Sequence, residues 1–353
     1  MNEVRASAPG KVVLLGEYAV LEGAPALALA VDRRAKVRLR QRGDGQILIR
    51  APQIGVDNAK ATLDLQRRLH WDQDMDQRLH LIEQIWSALA ARGWLESLHG
   101  GFELEIDTAG FVFGASKLGL GSSAALSVAL AAALLTAAGH EAHLQDRAVC
   151  LQDLVQMHRA WQGGQGSGID IAASLQGGAI VYQLETTGKP VAKPASYWPP
   201  AGLCWQFIWS GHAVSTGSQL RQLVQWRDAA SAVYRQQMQV LGEAAQAAIK
   251  ALALSASKFL PAVADYAVAL QAFSQVSGLE IYSPSQRELA LQAARIGAVF
   301  KPCGAGGDLG VVFADDPGKL EMLHRSIIAT GPQPLSLMPD LQGLLLERTG
   351  SGP

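Results

Sequence analysis

Residues 118–125 read LGLGSSAA, and the run from 124 to 138, AALSVALAAALLTAA, is apolar around its whole circumference. A helix apolar on every face belongs in an interior, and this run is shorter than the ~20 residues that a membrane span needs. It reads as a buried helix that stops at Gly139. The turn before it adds a chemical constraint. A Gly-rich turn feeding a helix gathers several backbone N–H groups at the positive end of the helix dipole, where phosphate is attracted. Ser122 and Ser123 bring two hydroxyls that can donate to phosphate oxygens or help to hold a metal. The same residues also suit an ordinary capped helix with either serine as N-cap, so the turn alone does not decide.

The chain has 353 residues, more than the roughly 250–300 at which single cores stop growing. Two domains are expected, 1–186 and 200–353, divided by the Pro-rich and polar stretch 186–201 (TTGKPVAKPASYWPPA). A net charge of -1 and the lack of a basic stripe disfavour a nucleic-acid partner or an anionic membrane surface. Cys150, Cys204 and Cys303 are far apart and odd in number, which argues against a disulfide framework or a zinc site and for a reducing, cytoplasmic setting. The first residues, MNEVRASAPGK, lack the apolar core of a signal peptide.

Apolar runs at 11–16 and 26–31 read as buried strands. Alternation at 35–40 and 46–50 around Arg42-Gly43-Asp44-Gly45 reads as a β-hairpin. A strand at 102–107 and helices near 60–70 and 76–92 complete the early part. A helix near 141–161 buries Leu144, Ala148, Leu151 and Val155, and a strand follows at 178–183. The second half reads as a strand at 203–209, a long helix near 217–250, helices near 261–277 and 284–296, and a glycine loop leading to a strand at 310–314. Strands and helices in separate blocks imply an α+β fold.

Three further segments bear on chemistry. In APGKVVLLGEYAVLEG (8–23), Lys11 opens an apolar strand and Glu17 follows Gly16. Both residue types are usually solvated at such positions; the functional alternative puts Lys11 at the mouth of a site. In GGQGSGIDIAAS (163–174), a glycine turn precedes Asp170, which is either a helix cap or an acid held where it can take a substrate proton. KPCGAGGDLG (301–310) is a second glycine-rich loop.

Together with KLGLGSSAAL at 117–126, the motifs at 8–23 and 301–310 resemble the three ordered motifs of the GHMP kinase superfamily. The likeness is strongest to the phosphomevalonate kinases. HRAWQGGQGSGIDIAAS (158–174), WSGHAVSTGSQLRQLV (209–224) and EIYSPSQRELALQAARIGAVFKPC (280–303) resemble that family as well. Gly164 stands where the family usually has lysine, Cys303 where it has serine or threonine, and the third motif is one glycine shorter.

The resemblance implies an S5-like N-terminal domain and a ferredoxin-like C-terminal domain with a cleft between them. It implies transfer of the ATP γ-phosphoryl group to phosphomevalonate. The alternatives are mevalonate kinase or another alcohol or sugar kinase, and a ligand sensor that has lost turnover. It places ATP on Gly119, Leu120, Gly121, Ser122, Ser123 and Ala124, with Mg2+ at Ser122 or Ser123. Asp170 would orient or deprotonate the acceptor, paired with Lys11. Ser167, Gly168, Ser215, Thr216, Arg221, Lys301, Gly304, Ala305 and Gly306 would face the acceptor. The expected partner is a small molecule, and the sequence fits either a monomer or a homodimer. His158, on a helix, reads as a structural or supporting residue.

Overall fold

The computed structural model describes residues 3–72, 77–114, 116–211, 216–327 and 332–349. The first lobe is a nine-stranded sheet covered by helices. Its strands among the described residues are β1 (Glu3–Leu15), β2 (Ala26–Arg42), β3 (Ile47–Ala51), β4 (Val56–Leu63), β5 (Leu69–Trp71) and β6 (Gly101–Asp107), then β9 and β10 below and, from the end of the chain, β15 (Leu345–Thr349). A short hairpin, β7 (Val112–Phe113) and β8 (Ser116–Lys117), stands apart from it. The helices are α1 (His80–Ala90), α2 (Ser122–Ala137), α3 (Arg147–Trp161) and α4 (Ile169–Gln176), followed by β9 (Ala179–Leu184) and β10 (Pro190–Pro194).

The strand order is β10-β9-β2-β6-β3-β4-β5, with β1 antiparallel to β2 along the other edge of that long strand. The expected strands at 26–31 and 35–40 are one strand, β2. The expected hairpin between β2 and β3 does not form, because β6 lies between them and runs parallel to β3. The expected helix at 60–70 is replaced by edge strands β4 and β5. In α3 the buried face is Cys150, Leu151, Leu154, Val155, Met157 and His158, and Ala148 is exposed.

Helix α2 is the core helix that its composition demanded: every residue from Ala124 to Thr136 is buried. It packs on β1 and β2 beneath and on α1, α3 and α4 around it. Its seven alanines let these neighbours approach closely, and Leu126, Leu130, Leu134 and Leu135 fill the gaps.

The second lobe begins with β11 (Cys204–Trp209). Helices α5 (Thr216–Ala229), α6 (Ser231–Ala251), α7 (Ala256–Ser277) and α8 (Pro284–Arg295) follow. The single helix expected over 217–250 is therefore two, broken at Ala230, whose backbone leaves the helical region (φ -139°, ψ 50°). Next come β12 (Val299–Pro302), β13 (Leu309–Ala314), α9 (Pro317–Ile327) and β14 (Gln333–Leu335). The order β12-β13-β11-β14, all antiparallel, with helices between β11 and β12 and between β13 and β14, is the ferredoxin-like arrangement. Ser283 caps α8 in a reciprocal box with Gln286.

The chain then returns to the first lobe. Strand β15 (Leu345–Thr349) pairs antiparallel with β1 from Ser7↔Leu345 to Glu3↔Thr349. The approach is fastened by Arg34, which forms an ion pair with Asp340 and donates to the Gly343 carbonyl at 2.6 Å. Among the described residues no helix is long and apolar enough to cross a membrane.

Candidate active site

Between the lobes lies a cleft of about 930 Å3. It collects residues that the sequence scatters over almost 300 positions: Lys11, the 119–123 turn, Ser167, Asp170, Thr216, Arg221 and the 304–306 loop.

The glycine turn is shaped by its neighbours. Gly119 and Gly121 have φ of 72° and 74°, values that side-chain-bearing residues rarely adopt. A Cβ on Gly121 would lie 3.0 Å from Lys11 Cε, and one on Gly119 would lie 2.7 Å from Asp308 Oδ2. Strand β1 is tied directly to the turn, since the Lys11 backbone N–H donates to the Leu120 carbonyl at 2.9 Å. Gly121 is the N-cap of α2 and supplies no side-chain cap. The first N–H groups of α2 thus have no side-chain acceptor there and face the cleft beside Ser122 and Ser123, an anion-binding geometry.

Asp170 sits in the first turn of α4, behind the N-cap Gly168, where a carboxylate is favoured by the helix dipole. The loop that delivers it is clamped from α3. Arg159 donates to the carbonyls of Gly166 at 2.8 Å and Ser167 at 2.9 Å, and Tyr182 donates to Ser167 as well. Lys11 and Asp170 both line the cleft, and among the described residues neither forms an ion pair. The expected Lys11–Asp170 pair is therefore not closed in this structure.

His158 is 1% exposed and lies against the start of α2. Its Nε2 lies 3.4 Å from Ser123 Oγ, and its ring packs on Trp161 at 5.3 Å. Burial holds its imidazole below the ordinary value, against the opposing pull of the Asp170 charge.

Three expected residues lie elsewhere. Ala124 is fully buried in α2. Gly168 faces the core, where a Cβ would meet Val155 and Tyr182. Lys301 is completely buried and pairs with Glu17. Ser215 falls outside the described residues. Thr216 and Arg221, at the start of α5, do line the cleft. Cys303 also reaches its wall, and burial pushes its thiol up to about 12, so it stays protonated.

Sequence reasoning missed Lys117, Arg159 and the Glu17 contacts. Lys117, at the end of the β7–β8 hairpin, joins Lys11 and Arg221 as the cations lining the cleft among the described residues. Its position next to the LGLGSS turn was the available signal. Arg159 and Glu17 act through partners that no local pattern reveals.

Residues 80–178, which hold the 119–123 turn and Asp170, match the family model for the GHMP kinases N terminal domain. A phosphomevalonate kinase of Streptomyces sp. (strain CL190) is 27% identical over 376 residues, covering 96% of this chain and 97% of its own. Two solved structures share the fold. The Lin0012 protein of Listeria innocua has a TM-score of 0.83 at 22% identity, covering 99% of this chain and 100% of its own. Streptococcus pneumoniae phosphomevalonate kinase, in complex with phosphomevalonate and AMPPNP, has a TM-score of 0.73 at 20% identity, covering 95% and 99%. With its three glycine-bearing segments folded around one interlobe cleft, the chain is similar over nearly its whole length to a phosphomevalonate kinase and, over residues 80–178, to the N-terminal domain of the GHMP kinases.

Proposed function

We propose that the protein is a kinase that transfers the γ-phosphoryl group of ATP to the phosphate of phosphomevalonate. One observation carries the reading: the α2 N-terminus, Lys11 and Asp170 line the same cleft as the cationic start of α5. The full-length likeness to a phosphomevalonate kinase supplies the acceptor.

Phosphoryl transfer depends mainly on positioning and charge stabilisation. Residues 1–186 would hold the nucleotide, and 200–353, apart from the returning β15, would wall the acceptor side. The backbone N–H groups at 121–123 would hold the phosphates, and Ser122 and Ser123 would offer oxygens to Mg2+. That ion, when bound, would offset phosphate charge. It keeps several waters, so a site with few protein oxygens suits it. Asp170 would accept the proton of the acceptor oxygen, or orient that oxygen when it is already ionised. Lys11 would stabilise charge on the transferring group. Arg221 and Thr216 would hold the phosphate that the acceptor already carries, and Lys117, beside the 118–123 turn, would meet the nucleotide.

ADP release from Mg-ATP against phosphomevalonate, mevalonate, diphosphomevalonate, homoserine and several sugars tests the reading. Turnover on phosphomevalonate alone supports it. Turnover on mevalonate or a sugar keeps the chemistry and moves the acceptor, with Gly164 and Cys303 the first departures to examine. ATP binding without turnover on any of them leaves an acceptor outside this set or the sensor reading.

A further inference from the structure

The turn after β1 makes contacts that the chemistry above does not use. Glu17 is 3% exposed and Lys301 is 0% exposed. The Lys301 ammonium donates to Glu17 Oε1 at 2.5 Å and to the Pro302 carbonyl at 2.6 Å. Glu17 Oε2 accepts from the Tyr266 hydroxyl at 2.5 Å, and that hydroxyl accepts from the Gly16 N–H at 3.0 Å. Tyr18 stands at φ 62°, an outlier for a residue with a side chain. Its hydroxyl donates to the Ala305 carbonyl at 2.7 Å. Three consecutive residues of the first lobe thus grip β12, α7 and the 304–307 loop of the second.

We propose that Glu17 is a positioning residue. With Lys301 and Tyr266 it bolts the Gly16–Tyr18 turn to the second lobe and so sets the 304–307 loop against Lys11. A carboxylate in the wall of a phosphate site invites a different reading, as a metal ligand. Here both of its oxygens are engaged by second-lobe donors, and taking either away would leave the Lys301 charge buried without its counter-charge or the Tyr266 hydroxyl without its acceptor. Tyr266 remains a donor, because burial and the Glu17 charge hold its phenol far above the usual range. The geometry at stake is close: the Lys11 ammonium lies 3.8 Å from where a Cβ on Gly304 would be. Reacting groups held about 1 Å out of place lose up to ~100-fold in rate.

The turnover arm of the test rests on the kinase reading, and the structural arm does not. The variants are Tyr266→Phe, Lys301→Met, Glu17→Gln and the double variant Glu17→Gln/Lys301→Met. Neither Tyr266 nor Lys301 lines the cleft. Amide hydrogen exchange across 303–309, thermal unfolding, kcat, the KM for ATP and the Mg2+ requirement are measured in each. Tyr266→Phe loses one hydroxyl and should fold. It should exchange faster across 303–309 and lose roughly 10-fold in kcat, with the KM for ATP and the Mg2+ requirement unchanged. The double variant, free of buried charge, should recover the unfolding temperature lost by its single parents without recovering kcat. Wild-type exchange across 303–309 in both Tyr266→Phe and the double variant would overturn the proposal. So would a raised Mg2+ requirement confined to Glu17→Gln with Lys301→Met at full turnover. If the wild-type protein turns over no acceptor, the exchange arm still decides, so the two readings fail separately.

Discussion

The two glycine-rich loops that face each other across the cleft are built for different work. The 118–123 loop ends in a helix, so its glycines open a set of N–H groups whose partners can come from a ligand. The 303–308 loop joins two strands, and its own contacts satisfy it: Gly307 N–H donates to the Ile281 carbonyl at 3.1 Å, and Cys303 N–H to Leu309 at 2.8 Å. Around the first, a Cβ meets side chains, among them the flexible stem of Lys11 at Gly121. Around the second, at Gly306, it meets the Ile281 backbone at 2.5–2.9 Å. One loop is shaped to receive and the other to stay put. The same residue type therefore leaves N–H groups open in one lobe and packs against backbone in the other.

The largest effect should come from the receiving side. Asp170→Asn should lower kcat by roughly 100-fold or more while ATP binding is nearly kept; steady-state kinetics with ATP titration checks it, and full turnover in a folded variant breaks the assignment. Next in size, Gly306→Ala should cost about 2–4 kcal/mol of stability in urea unfolding, because it combines a φ of 93° with a backbone that cannot yield. Gly121→Ala sharpens the contrast. Its collision is with a side chain that can swing aside, so the stability loss should be about 1–2 kcal/mol, with the main deficit in nucleotide affinity by calorimetry. Equal profiles for the two glycine variants would erase the distinction between the loops. Ser123→Ala should weaken use of Mg-ATP more than use of the acceptor, read from the two KM values.

The smallest effect is a pH dependence. Folded His158 holds its proton less tightly than an exposed imidazole, whose ordinary value is 6.5. Below that value the unfolded chain takes up a proton that the folded one does not, so stability decreases as the pH is lowered through the window between 6.5 and the lower folded value. Urea midpoints at successive pH values should show that fall in the wild-type protein and a shallower one in His158→Gln.

Much of the receiving side was legible in the sequence because its signals are local. The LGLGSS turn, the apolar run of α2 and the GSGID turn each announce their geometry within a dozen residues. The bolted side was less legible. Lys301 opens a glycine loop and reads as a cation for substrate, and its partner Glu17 lies 284 residues away. The missing hairpin has the same kind of cause. Nothing in the alternation of 35–50 tells that β6, fifty residues on, will insert between β2 and β3. Strand β4 was hidden differently: only Val56 and Ala61 in it are buried, too few to show a period of two. At Ala230 the α5–α6 break carries neither Gly nor Pro, the residues that usually punctuate a helix.

The return of β15 to β1 gives the second lobe two covalent tethers to the first. The chain leaves through 195–203 and re-enters through 336–344, where Arg34 grips Asp340 and Gly343. Any swing that parted the lobes would have to bend both crossings at once, which narrows the permitted motion toward rotation about the line joining them. A protease that severed the outgoing crossing alone would leave the two halves joined through the other, with the cleft walls still held in register.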